Sequence, residues 1–492
     1  MSSPTPPREY RLSKSRVLSA LQCPKRLYLE VHQPESAQVD AALQARFATG
    51  HVVGATARSL FPGGRLIEHH DDLAAALRET EAALVGNDDV ILFEPAIRHG
   101  GILIRADILI RRNGRLRFVE VKSSTRVHDY QLQDAAIQAW VIDGAGYPVD
   151  RASILHIDSS FVYAGDGDYR NLFAEVDVTK DIEALKPQVP ELVLRSQKIL
   201  AGPLPDIAVG KQCNDPFACP FLAHCDRDAR EFPLSIFSSH WRLRDLLLAL
   251  GYRDVREVPL DLLESHKLQR IWRATTSGQP ELDAAAAAVI QALGLPRYYL
   301  DFETIQFAVP IWAGTSPYEQ LPFQWSCHLQ TEDGALVHRE FLDVSGDAPM
   351  RAFAESLIAA AGSEGSIVVY SGFEGRILRE LSTRYPDLAA PLAAIHARLF
   401  DMLSVTREHY YHPDMKGSWS IKGILPTISP ELDYANLGEV SDGGSAQGAY
   451  LEMLAADTPI SRRMHLIAAL KAYCQRDTLA MVHVARFFEG GA

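Results

Sequence analysis

The chain has no long apolar run and little cysteine for its length. Its 492 residues contain no uninterrupted apolar stretch that matches the roughly 20 residues needed to span a bilayer. The polar, proline-containing start MSSPTPPRE does not match a signal peptide, and it predicts no regular structure. Six cysteines are too few for a disulfide framework in a chain of this size. These absences predict a cytoplasmic protein with no membrane partner.

An excess of positive charge is also missing. The net charge of −13 argues against a protein that coats DNA nonspecifically, but a nuclease can offset an acidic metal site with local basic patches. An apolar content of 47% and a charged content of 23% are ordinary for globular proteins. A chain of this length has room for two to four domains with cores of their own.

The stretch from Asp107 to Lys122 predicts a β-hairpin. An aliphatic run after Asp107 forms the first strand, Asn113-Gly114 form the turn, and residues 116–121 alternate as the second strand. Glu120 and Lys122 lie two residues apart, so both side chains point to the same face of that strand. The hairpin therefore brings two carboxylates and one ammonium group together.

Carboxylates held this close repel each other unless a hard dication lies between them, which suits Mg²⁺ or Mn²⁺ and an activated water. Lys122 would orient that water or stabilise the charge that develops on a phosphorus centre. The alternative is an exposed aspartate and a surface Glu–Lys pair on an edge hairpin, because the pattern D…ExK also occurs by accident.

Helical and strand patterns surround this hairpin and predict a mixed α/β sheet. One predicted helix carries His51, and another places Gln131, Asp134 and Gln138 on one face. The predicted elements are helices near 13–30, 39–60, 71–84, 128–144 and 180–200 and strands near 88–98 and 152–163.

Three evenly spaced cysteines, Cys213, Cys219 and Cys225, lie in a segment with little regular structure. In a reducing compartment this clustering favours a metal over a disulfide. His224 is adjacent to Cys225 and is poorly placed as the fourth ligand, whereas Cys23 is a distant thiol that would complete the set. Four thiolates suit an iron–sulfur cluster or a structural zinc. The alternative is three unrelated core cysteines.

Taken together, these features resemble the RecB-type PD-(D/E)xK nucleases of the iron–sulfur subclass, over about residues 10–228. The subclass includes the CRISPR-adaptation exonucleases and the AddB nuclease. The resemblance implies a restriction-endonuclease-like fold and a [4Fe–4S] cluster. The C-x5-C-x5-C spacing departs from the closer pair that many members have, which leaves the type of cluster open.

The resemblance also implies individual roles. The glutamine that it implies is Gln138, with Gln131 and Gln133 as rivals. The implied residues are His51, Asp107 and Glu120 as metal ligands, Lys122 and Gln138 as catalytic residues, and Cys23, Cys213, Cys219 and Cys225 as cluster ligands.

A second group of acidic residues follows a connector predicted at 229–290. The connector resembles half of a helix–hairpin–helix, although an ordinary helical linker is the alternative. The apolar strand RYYLDFETI then delivers Asp301 and Glu303 to one face, a helix after SIVVYSG carries Glu374, and a late helix carries Tyr473 and Asp477 one turn apart. Four such acids can converge on two metal ions, which suits hydrolysis of a phosphodiester.

Residues 291–492 resemble DnaQ-like, DEDD-type 3′–5′ exonucleases with an RNase H-like fold. The resemblance implies that Asp301, Glu303 and Asp477 bind metal and that Tyr473 positions the attacking water. Members of that family normally have aspartate at the position where this chain has Glu374. Asp401 is a rival ligand, although its position also fits the start of a helix.

The complete arrangement resembles a bacterial family of RecB-like nucleases fused to a DnaQ-like domain, to which the segment GSWSIKGILP, with Trp419 and Lys422, fits closely. We therefore expect an α/β protein with a nuclease domain at 1–228, a connector at 229–290 and an exonuclease domain at 291–492. The expected activity is Mg²⁺- or Mn²⁺-dependent cleavage of nucleic acid, DNA in preference to RNA, with a helicase as a candidate partner. The alternatives are a nucleic-acid-binding scaffold with a decayed site and an RNA-processing exonuclease.

Overall fold

The computed structural model describes most of the chain. The described residues are 12–38, 41–69, 71–226, 230–237, 240–432, 434 and 437–490. The start of the chain, for which the sequence predicts no regular structure, lies outside these ranges. No helix in the described ranges combines the length and the apolar character needed to cross a membrane.

The chain divides into two compact units. Unit 1 contains Met1–Asp228 together with Phe307–Glu319, and unit 2 contains Ala229–Gln306 together with Gln320–Ala492. The division after Asp228 coincides with the predicted boundary. Residues 229–290, predicted as a separate connector, are part of unit 2, and a short segment of the predicted exonuclease domain is part of unit 1.

Unit 1 is built around a six-stranded mixed sheet with the strand order β2-β3-β6-β7-β8-β9 and a smaller sheet with the order β1-β5-β4. The strands are β1 Leu12–Ser13, β2 Arg65–Leu66, β3 Val90–Phe93, β4 Ala96–His99, β5 Ile102–Arg105, β6 Ile108–Arg112, β7 Arg115–Lys122, β8 Val149–Ile157 and β9 Phe173–Asp177.

Unit 1 also contains helices. They are α1 Lys14–Gln22, α2 Pro24–His32, α3 Ala41–Ser59, α4 Leu73–Leu84, α5 Asp129–Gly144, α6 Thr179–Leu185, α7 Val189–Ala201 and α8 Leu222–Cys225. Strands β7 and β8 are parallel, and α5 connects them. Such a crossover lies across one face of its sheet, and α5 buries Ala135, Ala136 and Ala139 in the same cluster as Phe118 of β7.

The predicted hairpin is confirmed. Strands β6 and β7 pair antiparallel, and Asn113 and Gly114 have φ angles of 51° and 74°, as a tight hairpin turn of the I′ type requires. Three other predicted elements are interrupted at prolines, which lack the N–H needed to continue a helix or ladder. The predicted helix at 13–30 breaks before Pro24, the strand at 88–98 breaks at Glu94-Pro95, and the helix at 180–200 breaks at Pro187.

Residues 307–319 pack within unit 1 although they connect two strands of unit 2. Ala308 and Val309 join Val53, Ile157 and Leu172 in one apolar cluster. The backbone N–H of Tyr163 donates to the Thr315 carbonyl at 3.0 Å, and the N–H of Gly314 donates to the Tyr163 carbonyl at 2.7 Å. The segment therefore completes part of the core of unit 1.

Unit 2 has a five-stranded sheet with the order β13-β12-β11-β14-β15 and a two-stranded pair of β10 with β16. In this sheet β12 runs antiparallel to β13 and to β11, and β11, β14 and β15 run parallel to one another. The strands are β10 Glu281–Leu282, β11 Arg297–Ile305, β12 Leu321–Gln330, β13 Leu336–Leu342, β14 Ser366–Val369, β15 Leu399–Asp401 and β16 Tyr410–Tyr411.

Helices pack on this sheet and build the core of unit 2. They are α9 Trp241–Ala249, α10 His266–Ser277, α11 Ala285–Gln291, α12 Met350–Ala360, α13 Phe373–Arg384, α14 Ala389–His396, α15 Met402–His409, α16 Ile421–Ile428, α17 Gly443–Leu454 and α18 Ile460–Phe488. The long helix α18 contributes Met481, Val482 and Val484 to an apolar cluster that also contains Tyr299 of β11. The mixed α/β class expected from the sequence is thus present in both units.

Candidate active sites

The first candidate site lies at the open end of the β6–β7 hairpin. Ile108 pairs with Val119, so the antiparallel register places the preceding Asp107 beside Glu120. The N–H of Val121 donates to Asp107 Oδ2 at 2.6 Å. Glu120 is only 1% exposed because its face of β7 lies beneath α5. The structure therefore brings the two predicted carboxylates together.

Glu120 is held by three donors. Its Oε1 accepts from Lys122 Nζ at 2.8 Å and from Lys14 Nζ at 2.8 Å, and its Oε2 accepts from Gln138 Nε2 at 2.7 Å. Asp134, one turn before Gln138 on α5, accepts from Lys122 Nζ at 2.6 Å. The site thus contains a second lysine, Lys14, and a third acid in contact with the lysines.

The structure distinguishes Gln138 from its rivals. Gln131 is also buried on α5, but its side chain accepts from the N–H of His128 at 3.0 Å and donates to Ser124 Oγ at 2.9 Å. These contacts close the first turn of α5 instead of reaching Glu120. Gln133 is only partly buried. Gln138 is the glutamine that donates to the carboxylate of Glu120.

Burial and neighbouring charges shift the pKa values of the acids and lysines in this site. Burial, together with the nearby Glu120 carboxylate, raises the pKa of Asp107 to about 7. Burial alone would lower the pKa of Lys122 and raise that of Asp134. Their mutual attraction outweighs burial, so the pKa of Lys122 is raised and that of Asp134 is lowered. The lysine and Asp134 are therefore held charged, whereas at Asp107 burial and the charge of Glu120 outweigh the attraction of Lys14 and Lys122.

Glu94 is an additional acid that the sequence placed only within a strand. Phe93 pairs with Ile108, so Glu94 follows at the same sheet edge as Asp107, and the N–H of Glu94 donates to the Asp107 carbonyl at 3.1 Å. Its φ of 53° is unusual for a residue with a side chain. Burial raises the pKa of Glu94. The signal available in the sequence was an acid before proline at the end of the strand that pairs with β6.

His51 is exposed on helix α3, whereas Val53 and Ala57 on the same helix are buried. Residues seven apart share a helix face, so His51 lies on the face of α3 that carries Arg58. The Nη1 atom of Arg58 lies 3.6 Å from Glu94 Oε1. A role for His51 as a metal ligand stays a prediction.

The second candidate site forms on β11 and α18. Asp301 and Glu303 lie two residues apart on β11, and Asp477 lies on α18. One carboxylate oxygen from each lies within 4.8 Å of the others, and among the described residues this is the single group of three or more potential ligands that is so close. Three of the four predicted acids therefore converge.

Burial and mutual repulsion perturb all of these acids. Burial followed by the charge of Asp477 raises the pKa of Asp301 and raises that of Glu303 to about 8. Burial raises the pKa of Asp477 to about 6, although hydrogen bonds from Tyr434 and Tyr473 hold it down. The cluster lacks enough positive charge to balance its carboxylates, as expected of side chains that bind cations.

Glu374 lies in the first turn of α13 and is close enough to perturb the cluster. It is 3% exposed, and burial raises its pKa to about 8. Its Oε2 is buried and has no hydrogen-bond partner among the residues that the structure describes. The rival Asp401 ends β15 and accepts from the N–H of Leu403 at 2.9 Å as the N-cap of α15. Glu374 is thus the acid with an unused oxygen, and Asp401 has a capping role.

Tyr473 is accompanied by a lysine and a second tyrosine. Lys422 Nζ on α16 donates to Tyr473 Oη at 3.0 Å and to the Ser441 carbonyl at 2.6 Å. Tyr434 donates its hydroxyl to Asp477 Oδ1. The sequence analysis named Lys422 only as part of the segment GSWSIKGILP, and it did not single out Tyr434. Neither belongs to the strand and helix motifs that identify the acids.

The four predicted cluster ligands line one cavity. Cys23, between α1 and α2, faces this cavity with Cys213, Cys219 and Cys225. The N–H of Cys219 donates to the Cys213 carbonyl at 2.8 Å. No three of these four described cysteines have sulfur atoms within 4.8 Å of one another.

The donor sets fit divalent cations to different degrees. The second site offers three convergent carboxylates and the unsatisfied Oε2 of Glu374, which suits hard cations. The first site offers Asp107 and Glu120, but Oε1 of Glu120 is shared by two lysines. A cation there would have to replace at least one ammonium group.

Comparison with known proteins adds one match. Residues 298–420 match the family described as a domain of unknown function, DUF2779. This region begins within β11 and includes Asp301, Glu303 and Glu374, and it ends before Lys422 and Asp477. No curated protein matches the chain.

Proposed function

We propose that the protein is a metal-dependent nuclease that hydrolyses phosphodiester bonds of DNA. The observation that carries this proposal is the convergence of Asp301, Glu303 and Asp477, whose oxygens lie within 4.8 Å of one another. Together with Glu374, these acids would hold Mg²⁺ or Mn²⁺. Bound divalent cations would supply Lewis-acid activation of water and of the phosphoryl oxygens.

The remaining side chains of unit 2 suit this chemistry. Tyr473 carries a hydroxyl that is fixed by Lys422 at 3.0 Å, so it can orient an attacking water without rearranging. Lys422 supplies positive charge beside the acids, which would stabilise the additional negative charge of the transition state. We assign unit 2 the RNase H-like, DnaQ-type architecture on this basis and on the strand order of its sheet.

Unit 1 supports a second hydrolytic site of the PD-(D/E)xK type. The support is the hairpin that joins Asp107, Glu120 and Lys122, with Gln138 donating to Glu120 at 2.7 Å. Lys122 would hold the attacking water or the leaving oxygen. The four cysteines that line one cavity would bind a [4Fe–4S] cluster, which we propose to be structural because it would join residues distant in sequence.

The test is cleavage of end-labelled DNA with Mn²⁺ or Mg²⁺, compared with RNA of the same sequence. We expect the Glu120→Gln and Asp301→Asn variants each to lose one of two cleavage activities, and the double variant to lose both. Full activity in the double variant would reject the proposal. Cleavage of RNA alone would favour the RNA-processing alternative, and binding without cleavage would favour a scaffold.

A further inference from the structure

Lys14 is a cation of the first candidate site that neither the hairpin nor the cysteine pattern predicts. Its Nζ lies 2.8 Å from Glu120 Oε1 and 3.5 Å from Asp134 Oδ1. The side chain is 22% exposed, so solvent and a ligand can still reach it. These contacts place Lys14 opposite Lys122 across the same carboxylate.

The backbone at Lys14 is fixed from both sides. Ser13 pairs with Leu103 in the parallel pairing of β1 with β5. Ser13 also caps α1, because its Oγ accepts from the N–H of Arg16 at 3.3 Å. Lys14 is the first residue of that helix. A lysine that leaves so fixed a backbone position is preorganised, which reduces the entropy lost when it binds a ligand.

The charges of the site favour an anion once a metal is bound. The carboxylates of Asp107, Glu120 and Asp134 face the ammonium groups of Lys14 and Lys122. Glu94, the additional acid of the site, is paired with Arg58 at 3.6 Å. One divalent cation added to the other three acids and the two lysines would therefore leave a single positive charge. A phosphodiester carries a single negative charge, so the metal-loaded site would match it.

The two lysines differ in how firmly the acids hold them. If Glu120 turned its Oε1 toward a cation, Lys122 would still donate to Asp134, 2.6 Å away. Lys14 would then retain only the longer contact of 3.5 Å to Asp134. Lys14 is therefore the ammonium group that metal binding would release toward a ligand.

We propose that Lys14 binds a backbone phosphate of the nucleic acid beside the bond that is cut in unit 1. This assignment rests on the proposed nuclease function and adds a phosphate-binding residue that the chain brings from outside the hairpin. The contact is electrostatic and independent of base sequence. It forms no covalent bond and transfers no proton.

The salt dependence of DNA binding tests this assignment. Binding of a labelled oligonucleotide with Ca²⁺ in place of Mg²⁺ would be measured over a range of NaCl concentrations. A lost phosphate contact lowers the slope of log K against log salt by about 0.7–0.9. We expect that loss in Lys14→Met, and the wild-type slope in Lys14→Arg and in the control Lys198→Met, which removes an exposed lysine of unit 1.

An unchanged slope in Lys14→Met would overturn the assignment, and so would wild-type binding that does not depend on salt. If Lys14→Met does not fold, Lys14→Gln replaces it: the amide can still donate to Glu120, but the charge is absent, so the same loss of slope is required. A purely structural ion pair would change the melting temperature and leave the slope intact.

Cleavage provides the second readout and separates this proposal from the nuclease function. In a chain whose second site is disabled by Asp301→Asn, we expect Lys14→Met to raise KM about 10-fold with a smaller effect on kcat, and Lys14→Arg to restore KM. Cleavage that Glu120→Gln does not affect would reject unit 1 as a nuclease. The binding slope would still decide whether Lys14 contacts phosphate.

Discussion

Single side chains in the second site work against the stability of the fold. Asp301, Glu303 and Asp477 are buried together, and burial raises the pKa of each. The charge of Asp477 raises the pKa values of Asp301 and Glu303 further. An acid whose pKa is raised on folding favours folding when protonated and opposes it when ionised. The same feature that would attract cations therefore destabilises the protein when no cation is bound.

Replacing Asp301 by asparagine should stabilise the protein in EDTA. Glu303 has a pKa of about 8 in the fold against 4.5 ordinarily, so the stability it contributes is full below pH 4.5 and is lost as pH rises through about 8. We expect the melting temperature to fall from pH 5 to pH 8.5, and Asp301→Asn to raise it by about 3 °C at pH 8. The exposed acid Asp347, replaced by asparagine, is the control. An equal change in both variants would contradict the prediction.

Replacing Lys422 should reduce the activity of the second site. Its ammonium group donates to Tyr473 at 3.0 Å, so its loss removes both a charge beside the acids and the partner that orients the tyrosine. In a Glu120→Gln chain, we expect Lys422→Met to lower kcat about 100-fold and Lys422→Arg to lower it less. Steady-state cleavage of end-labelled DNA measures this. An unchanged kcat in Lys422→Met would show that the lysine only packs against the tyrosines.

Helix α1 connects the cysteine cavity with the first site. It begins at Lys14 and ends at Gln22, and Cys23 follows directly. Gln22 Nε2 donates to the carbonyls of Gln212 and Phe217, each at 2.7 Å. The segment that carries the three later cysteines therefore contacts the C-terminal end of α1. At the other end of this helix, Lys14 contacts Glu120 in the first site. Disorder at the cavity should consequently weaken the contact between Lys14 and Glu120.

Replacing Cys219 by alanine should remove the metal centre and destabilise unit 1. A [4Fe–4S] cluster would give a brown protein, and we expect Cys219→Ala to lose that colour and its solubility together because the cluster would join Cys23 to residues about 190 positions away in the sequence. Absorbance in the visible range and iron analysis measure this. Cys327, a buried cysteine of unit 2, replaced by alanine, is the control. A colourless, stable wild type that contains zinc would contradict the cluster.

The elements differ in how well the sequence predicts them. The β6–β7 hairpin follows from local alternation and an Asn-Gly turn, so its register and the pairing of Asp107 with Glu120 were predictable. Lys14 was not predictable as a site residue, because the parallel pairing of β1 with β5 that places it is a contact between distant segments. The split of the predicted strand at Glu94-Pro95 follows from a proline that the sequence shows, whereas the φ of 53° at Glu94 does not follow from local propensity.

The division into units limits what sequence boundaries can predict. The resemblance of about residues 10–228 to RecB-type nucleases predicted a boundary near residue 228. It did not identify residues 307–319 as part of unit 1, because their apolar residues Ala308 and Val309 gain partners only in the folded state. The acids of the second site were predictable by spacing, whereas Tyr434 and Lys422 come from segments without a repeating pattern.

A truncated chain of residues 1–228 should therefore be less stable than the same residues in the whole protein. It lacks Ala308 and Val309 and the backbone partners of Tyr163, and it exposes the apolar surface around Ile157. We expect a lower melting temperature and aggregation, measured by thermal unfolding and light scattering. An excess of a peptide of residues 307–319 should raise the melting temperature. A scrambled peptide is the control, and equal effects of both peptides would contradict the prediction.

The path of residues 307–319 has a consequence for how the protein opens. Strand β11 carries two of the acids of unit 2, and a few residues later the chain contributes backbone hydrogen bonds to Tyr163 in unit 1. Amide protons of these adjacent residues should therefore exchange with deuterium in two different cooperative steps. Protection of the Gly314 amide, which donates to the Tyr163 carbonyl, would follow the opening of unit 1, although the strands nearest to it in the sequence open with unit 2.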